Sequence, residues 1–159
     1  MQIARSIIIA IALAAASASA HADTLTGRAS VIDGDTLEMQ GERIRILDID
    51  APESRQPCIE PDGTEWRCGQ QAAMALSDWI AQQTVTCETT KKDKYKRWLA
   101  RCAVAGQDVA KWLAENGMAV PYRDCKCEIV RVAADQAKAS RLGIWSGSFL
   151  MPWEWRKVN

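Results

Sequence analysis

Apolar and charged residues alternate along two short stretches of the chain, and both stretches end in acids. In residues 43–50, isoleucines alternate with arginines and aspartates. This pattern is typical of a strand with one face in the core, so Arg45 and Asp50 are expected on the face turned to solvent or ligand. Upstream, the segment Asp33-Gly34-Asp35 predicts a tight turn, with Gly34 at positive φ and both acids directed at a common point.

A hairpin connects these two stretches. The Gln40-Gly41 pair lies between two strand-like runs and is typical of a hairpin turn. Pairing of the flanking strands would bring Asp35 close to Asp50 across a small sheet. Oxygen ligands without histidine or cysteine suit a hard cation such as Ca²⁺ or Mg²⁺. The pattern therefore predicts a cation site at the ends of these strands.

A second hairpin is predicted further along the chain. Strand-like residues 85–88 and 99–104 flank the segment Asp93-Lys-Tyr-Lys-Arg97, which places Arg97 at or just after the bend. Helical spacing of apolar residues predicts helices over 69–83, 109–116 and 130–141. Pro152 in the tryptophan-rich tail, residues 147–159, favours an extended segment that packs back on the domain.

The absence of histidine after residue 22 excludes several classes of mechanism. Arg5 and the single histidine, His21, lie in the first 22 residues, and without these residues the chain has 19 basic and 20 acidic side chains. A chain without histidine can use neither a Ser-His-Asp nor a Cys-His mechanism, nor an imidazole zinc site.

A basic strip contains six lysines and arginines within eleven residues, and it indicates either a phosphate-binding surface or a solvated hairpin tip. Its members are Lys91, Lys92, Lys94, Lys96, Arg97 and Arg101.

The first 22 residues predict an exported protein. Arg5 precedes an apolar core and small residues that end at Ala22, which fits a signal peptide cleaved after that residue. An uncleaved membrane anchor is the alternative, although the apolar run is shorter than the ~20 residues of a spanning helix. We expect a monomer in the periplasm or secreted, without stable membrane association after cleavage.

All six cysteines follow residue 22, as expected for an oxidising compartment. Cys87 and Cys102 flank the second hairpin and favour one disulfide across its strands, and Cys58 and Cys68 bracket a loop that a second disulfide would close. The remaining Cys125 and Cys127 are left to form a bridge with each other, stay reduced or pair between chains.

Several motifs in this order resemble the staphylococcal nuclease (thermonuclease) family. They are IDGDT from Ile32, RILDIDAPE from Arg45, DKYKR from Asp93, GMA at 117–119 and LGIW at 142–145. The resemblance covers residues 24–145 and implies an α+β fold, a small five-stranded OB-like β-barrel with three helices. It divides the chain into a signal peptide (1–22), a nuclease domain (23–146) and a tail (147–159) that packs on the same domain.

The resemblance also implies roles for individual residues. Asp35, Asp50 and the backbone carbonyl of Ala51 would hold Ca²⁺, with Mg²⁺ or Mn²⁺ as alternatives. Glu53 would act as the general base or position the attacking water, and Arg45 and Arg97 would grip the phosphate. Further matches imply that Asp33 is an acidic residue behind the metal ligands and that Tyr95 and Tyr122 bind the substrate. The chain departs from the family at Ala51, where threonine is common, and at Lys96 and Trp98, where glycines are frequent.

The implied reaction is hydrolysis of phosphodiester bonds in nucleic acid. We expect a calcium-dependent nuclease that cleaves DNA with little sequence preference and leaves 3′-phosphate ends, with RNA as a second substrate left open. Two alternatives remain: a catalytically inactive nucleic-acid-binding OB-like module, and a periplasmic calcium-binding structural protein. The complete set of acids and arginines favours the enzyme.

Overall fold

The computed structural model describes residues 23–159 of the chain. The predicted signal peptide and its cleavage site after Ala22 lie outside the described residues, apart from the first residue after the cut. In the described part of the chain, no helix is both long and apolar enough to cross a membrane.

Eleven short strands lie within residues 23–159. They are β1 (Thr24–Gly27), β2 (Ser30–Asp33), β3 (Thr36–Met39), β4 (Glu42–Ile46), β5 (Ile49–Asp50), β6 (Cys58–Ile59), β7 (Glu65–Trp66), β8 (Val85–Lys92), β9 (Trp98–Val104), β10 (Gln107–Asp108) and β11 (Val120–Pro121). Both predicted hairpins are present: Met39 pairs with Glu42 across the Gln40-Gly41 turn, and β8 pairs with β9.

The main sheet is mixed and curled, with strand order β1-β8-β9-β4-β3-β2. Its neighbours are antiparallel except β4 and β9, which run parallel. The sheet contains seven strands where five were expected, because β1 adds an edge to β8 and the short β10 pairs with β9. The predicted α+β class with an OB-like sheet is confirmed.

In the described part of the chain, four α-helices accompany the sheet: α1 (Cys68–Ile80), α2 (Val109–Glu115), α3 (Glu128–Ala139) and α4 (Pro152–Val158). The first three confirm the predicted helices with small changes at their ends. The expectation of an extended segment after Pro152 is wrong. Pro152 is the first residue of α4, where its fixed φ suits a helix and its missing N–H leaves no hydrogen bond unmade.

The core lies between the concave face of the sheet and the helices. Its largest members are fully buried aliphatic residues of β3, β4, α1 and α2, such as Leu37, Ile44, Leu76 and Leu113. Trp79 of α1 stacks on Trp112 of α2 with ring centroids 4.4 Å apart. Both rings pack against this core, so these two tryptophans have a structural role.

A smaller apolar cluster supports the tail. Buried Cys58, Cys68, Val120 and Ile144 form its centre, and the aromatic residues Trp66, Trp145, Phe149 and Trp153 pack around them. The structure contains disulfides between Cys58 and Cys68, Cys87 and Cys102, and Cys125 and Cys127. The first of these fixes the β6–β7 hairpin to the start of α1, next to the predicted site.

Candidate active site

An open cavity of about 660 Å³ brings the predicted site residues together. It lies where β4 and β5 meet the bend between β8 and β9. Its charged and aromatic lining residues are Asp33, Asp35, Arg45, Glu53, Asp93, Lys94, Tyr95, Arg97, Tyr122 and Arg156, and Ala51 contributes to its wall. Asp50 lies behind this surface and is fully buried.

Strand register places Asp35 beside Arg45. Thr36 and Arg45 are cross-strand partners in the β3–β4 pair, and the Ile46 amide donates to the Asp35 carbonyl over 2.9 Å. The Asp35 side chain reaches towards the next strand, where its Oδ2 accepts a 2.9 Å hydrogen bond from the Ala51 amide. The hairpin therefore joins the two acid-bearing stretches, as the alternation predicts.

The turn before Asp35 differs from the prediction in its backbone. The φ of Gly34 is not positive. A Cβ at this position would lie 2.7 Å from the Ala51 Cβ and 3.0 Å from the Ala72 Cβ, closer than such atoms approach. Glycine is needed here because β5 and α1 pack directly against the turn.

The guanidinium of Arg45 joins the two aspartates. Its Nη1 lies 2.9 Å from Asp35 Oδ2 and its Nη2 lies 3.0 Å from Asp50 Oδ1, while Nη1 also donates to the Ile46 carbonyl. Only 14% of the Arg45 side chain is exposed. This arrangement fixes the two carboxylates relative to each other and leaves Arg45 little freedom.

Burial raises the pKa of Asp35 to about 7 from its ordinary value of 3.8. The negative charges of Asp33 and Asp50 act in the same direction, and together with burial they outweigh Arg45 and the Ala51 amide, which favour the ionised form. A cation placed between Asp35 and Asp50 would favour ionised Asp35. Asp33 also supports the turn directly, since its Oδ1 accepts from the Asp35 amide over 3.1 Å.

Glu53 follows β5 on a tightly packed loop. Gly69 at the start of α1 lies so close that a Cβ there would be 1.9 Å from the Glu53 carbonyl oxygen. The Glu53 amide donates to the side-chain carbonyl of Gln56, which is fully buried. The Glu53 carboxylate is 41% exposed and faces the cavity, so its backbone is fixed while its side chain remains accessible.

The bend between β8 and β9 positions Arg97. Asp93 accepts hydrogen bonds from the backbone amides of Tyr95 and Arg97, and its Oδ2 lies 2.8 Å from Arg97 Nη2. Lys96 lies in the left-handed region with φ 64°, which explains how the chain closes this bend without glycine at that position. The guanidinium of Arg97 lies 5.3 Å from the centre of the Tyr95 ring.

The aromatic residues divide into two groups. Tyr95 and Tyr122 line the cavity and are 66% and 43% exposed. Trp98 packs against the core beneath the Lys92 ammonium and is not part of the cavity lining. The basic strip also divides, because Lys92 pairs with Glu42 and Arg101 pairs with Asp48, while Lys91, Lys94 and Lys96 are exposed.

Two residues at the site were missed by the sequence analysis. Arg156 of α4 donates to both carboxylate oxygens of Asp50, over 3.1 and 2.8 Å, and to Glu53 Oε1 over 2.7 Å. Its hydrogen bond with Asp50 raises the pKa of Arg156 against the opposing effect of burial, and Glu53 adds to the rise. Gln56 joins Glu53 to the tail, since its Nε2 donates to the Leu150 carbonyl over 2.6 Å.

The donor set fits a hard divalent cation in part. Among residues 23–159 no group of three or more His, Cys, Asp or Glu side chains could hold a metal ion. The set is instead Asp35 of the turn between β2 and β3 and Asp50 of β5, with the Ala51 backbone beside them, and such all-oxygen sets are completed by water or substrate oxygens at Mg²⁺ and Ca²⁺ sites. Burial raises the pKa of Asp35, and a cation bound beside its carboxylate would favour the ionised form.

Comparison with known proteins assigns the fold. The family model described as staphylococcal nuclease homologue matches residues 43–147. The succinoglycan biosynthesis protein ExoI of Rhizobium meliloti is 42% identical over 127 residues, a match that spans 78% of this chain and 66% of the relative. An uncharacterized endonuclease of Escherichia coli O157:H7 is 30% identical over 79% of this chain and 80% of the relative. Micrococcal nuclease of Shigella flexneri is 29% identical, with coverage of 81% and 78%.

Proposed function

Because this chain belongs to the staphylococcal nuclease family, a family of nucleases, we propose that it is an exported calcium-dependent nuclease. It hydrolyses phosphodiester bonds of DNA with little sequence preference and leaves 3′-phosphate ends, and RNA is a second substrate to test. The observation that carries this proposal is the meeting of Asp35, Arg45, Glu53 and Arg97 in one cavity, with Asp50 directly behind it.

Asp35, Asp50 and the carbonyl of Ala51 are the groups that would hold the cation. When bound, Ca²⁺ supplies positive charge that stabilises the extra negative charge on the phosphate oxygens in the transition state. Mg²⁺ and Mn²⁺ prefer the same oxygen ligands and are the alternatives to test.

The arginines and Glu53 supply the remaining chemistry. Arg45 and Arg97 line the same cavity, and a guanidinium can donate two parallel hydrogen bonds to phosphate oxygens, which fixes the phosphorus for attack. Glu53 would accept a proton from the attacking water at its exposed carboxylate, a type of catalysis that contributes roughly 10²–10⁴-fold in rate. Asp33 would hold the turn that presents Asp35.

Exposed groups around the cavity suit a nucleic-acid strand. Tyr95 and Tyr122 offer ring faces on which bases can stack without sequence preference. Lys91, Lys94 and Lys96 are exposed on the adjacent bend and would attract the phosphate backbone. These contacts explain broad substrate use better than selection of one sequence.

Export is supported by the sequence of residues 1–22 and by three disulfides, which persist in oxidising compartments. The mature protein would be residues 23–159, monomeric and free in the periplasm or the medium. Fractionation of cells that produce the full chain, with mass measurement of the exported product, tests both the compartment and the cut after Ala22.

The nuclease proposal is tested with Asp35→Ala. Wild-type protein should cleave single-stranded and duplex DNA and RNA with Ca²⁺, should stop in EDTA, and should leave ends that a polymerase extends only after 3′-phosphate removal. Asp35→Ala should fold, as judged by circular dichroism, and lose calcium-dependent cleavage. Normal turnover by this variant would refute the metal assignment. If folded wild type binds nucleic acid but cleaves it with none of the metals, the inactive nucleic-acid-binding module would be favoured.

A further inference from the structure

The C-terminal helix α4 places a third guanidinium on the predicted metal ligand. Arg156 is the fourth residue from the end of the chain, yet its Nη2 lies 2.8 Å from Asp50 Oδ2 and its Nη1 lies 3.1 Å from Asp50 Oδ1. The same Nη1 lies 2.7 Å from Glu53 Oε1. One side chain therefore contacts both the predicted metal ligand and the predicted base.

Both oxygens of Asp50 are already in use. Oδ1 accepts from Arg45 and Arg156, and Oδ2 accepts from Arg156. Asp50 is fully buried, so an incoming cation cannot approach it from another, solvated side of its carboxylate. A cation that takes an oxygen of Asp50 must therefore compete with a guanidinium.

Arg156 is better able to move than Arg45. Arg45 is 14% exposed and is held additionally by Asp35 and by the Ile46 carbonyl, whereas Arg156 is 42% exposed. Within residues 23–159, Asp50 and Glu53 are the only hydrogen-bond partners of the Arg156 side chain. If one guanidinium leaves Asp50, it is that of Arg156.

The backbone that carries Arg156 is held independently of this contact. Pro152 is buried, Met151 and Trp153 pack on the smaller apolar cluster, and Gln56 donates to the carbonyl of Leu150. Ser148 also bridges to Ile59. The helix can therefore stay docked while the long Arg156 side chain turns towards solvent.

We propose that Arg156 is a built-in competitor of the divalent cation, which neutralises Asp50 and Glu53 when no metal is bound and leaves Asp50 when metal binds. This inference rests on the proposed function, because it takes Asp50 as a metal ligand. Arg156 acts through Asp50 and Glu53 as a positioning residue. It sets the metal concentration at which the site becomes active, and it keeps Glu53 paired until the cation arrives.

Calcium titration by calorimetry, without nucleic acid, tests the proposal on residues 23–159 with all disulfides formed. Arg156→Gln should bind Ca²⁺ roughly 10- to 100-fold more tightly than wild type, because the cation no longer has to displace a charge-assisted hydrogen bond from Asp50. Lys157→Gln is the matched control, because it removes the same charge from the next, exposed position of α4. This control should bind like wild type.

Equal affinity in Arg156→Gln and Lys157→Gln, or weaker binding by Arg156→Gln, would overturn the proposal. Cleavage by wild type with Ca²⁺ separates this failure from failure of the proposed function. If wild type cleaves with Ca²⁺ but the calcium affinity of Arg156→Gln is unchanged, only the competitor role is refuted. If wild type neither binds metal nor cleaves, both the competitor role and the proposed function are refuted.

Hydrogen exchange in the wild-type protein gives a second readout that needs no variant. Calcium should slow exchange at the Ala51 amide, next to the occupied ligands, and should speed exchange of the guanidinium hydrogens of Arg156, which lose Asp50 as their acceptor. Guanidinium exchange at Arg156 that is unchanged or slower with Ca²⁺ would contradict release of Arg156, even if Arg156→Gln fails to fold.

Discussion

Asp35 carries the strongest electrostatic strain of the site because it is buried close to Asp33 and Asp50. Its pKa of about 7 lies well above the 3.8 of an exposed aspartate. The folded protein therefore holds a proton that the unfolded chain releases above pH 4. The stabilising contribution of Asp35 is fully present below pH 3.8 and is lost as the pH rises through 7.

This shift predicts how the metal-free protein responds to pH. In EDTA, the free energy of unfolding of wild type should fall between pH 5 and pH 8, by a few kcal/mol at most. Asp35→Asn should lack this fall, because its amide does not ionise. Urea denaturation of both proteins at the two pH values measures the difference. The same fall in both proteins would show that another group is responsible.

Arg97 is predicted to act on the phosphate. Arg97→Ala should lower kcat/KM for DNA by roughly 10²–10³-fold, as removal of one preorganised donor to developing charge usually does. Arg28→Ala is the control, since Arg28 has the same charge and, within residues 23–159, its side chain hydrogen-bonds only to exposed Gln82. Steady-state cleavage with saturating Ca²⁺ measures both. A loss in Arg97→Ala no larger than in Arg28→Ala would refute the phosphate role.

At the scale of elements, the hairpins were predictable and the tail was not. Alternation and the Gln40-Gly41 pair predict β3 and β4 because local turn chemistry and one buried face fix the register. Helix α4 was missed because Pro152 was taken as a helix breaker, although proline also begins helices. The position of Pro152 was the signal from which the start of α4 could have been predicted.

The bend between β8 and β9 stores backbone strain at Lys96. A residue with a side chain costs roughly 1–2 kcal/mol in the left-handed region, and Lys96 has φ 64°. Lys96→Gly should therefore raise the free energy of unfolding by up to about 1 kcal/mol, after the greater freedom of glycine in the unfolded chain is subtracted.

Lys94→Gly is the matched control for this prediction, since it removes the same charge from the same bend at a residue without positive φ. This variant should bring no gain. Urea denaturation of both variants beside wild type gives the comparison. If Lys96→Gly is no more stable than Lys94→Gly, backbone strain at Lys96 does not lower the free energy of unfolding.

At the scale of the whole molecule, the chain is held by crosslinks as well as by its core. Cys87–Cys102 joins β8 to β9 across a sequence separation of 15, whereas Cys125–Cys127 closes a separation of two. Loop-closure entropy predicts about 3 kcal/mol for the longer loop. The double variant Cys87→Ala/Cys102→Ala should therefore lose much more stability than Cys125→Ala/Cys127→Ala in thermal unfolding. Equal losses would contradict this.

The whole molecule also explains what the sequence could not predict at the site. Asp35, Arg45, Asp50 and Glu53 lie within 19 residues, so motif and register bring them together. Arg156 is 103 residues from Glu53 along the chain, and no spacing pattern connects the two. Gln56 looks like an ordinary loop amide, and only the packing of the tail shows that it is buried. Such contacts depend on tertiary docking of α4.

The Glu53 carboxylate and a divalent cation are proposed to act together on a phosphodiester bond. DNA cleavage by oxidised residues 23–159 and by Glu53→Gln, each with Ca²⁺ and with EDTA, tests this directly. We expect calcium-dependent cleavage by wild type and a loss of roughly 10²–10⁴-fold in Glu53→Gln, with calcium binding retained. Undiminished cleavage by Glu53→Gln, or cleavage by wild type in EDTA, would contradict it.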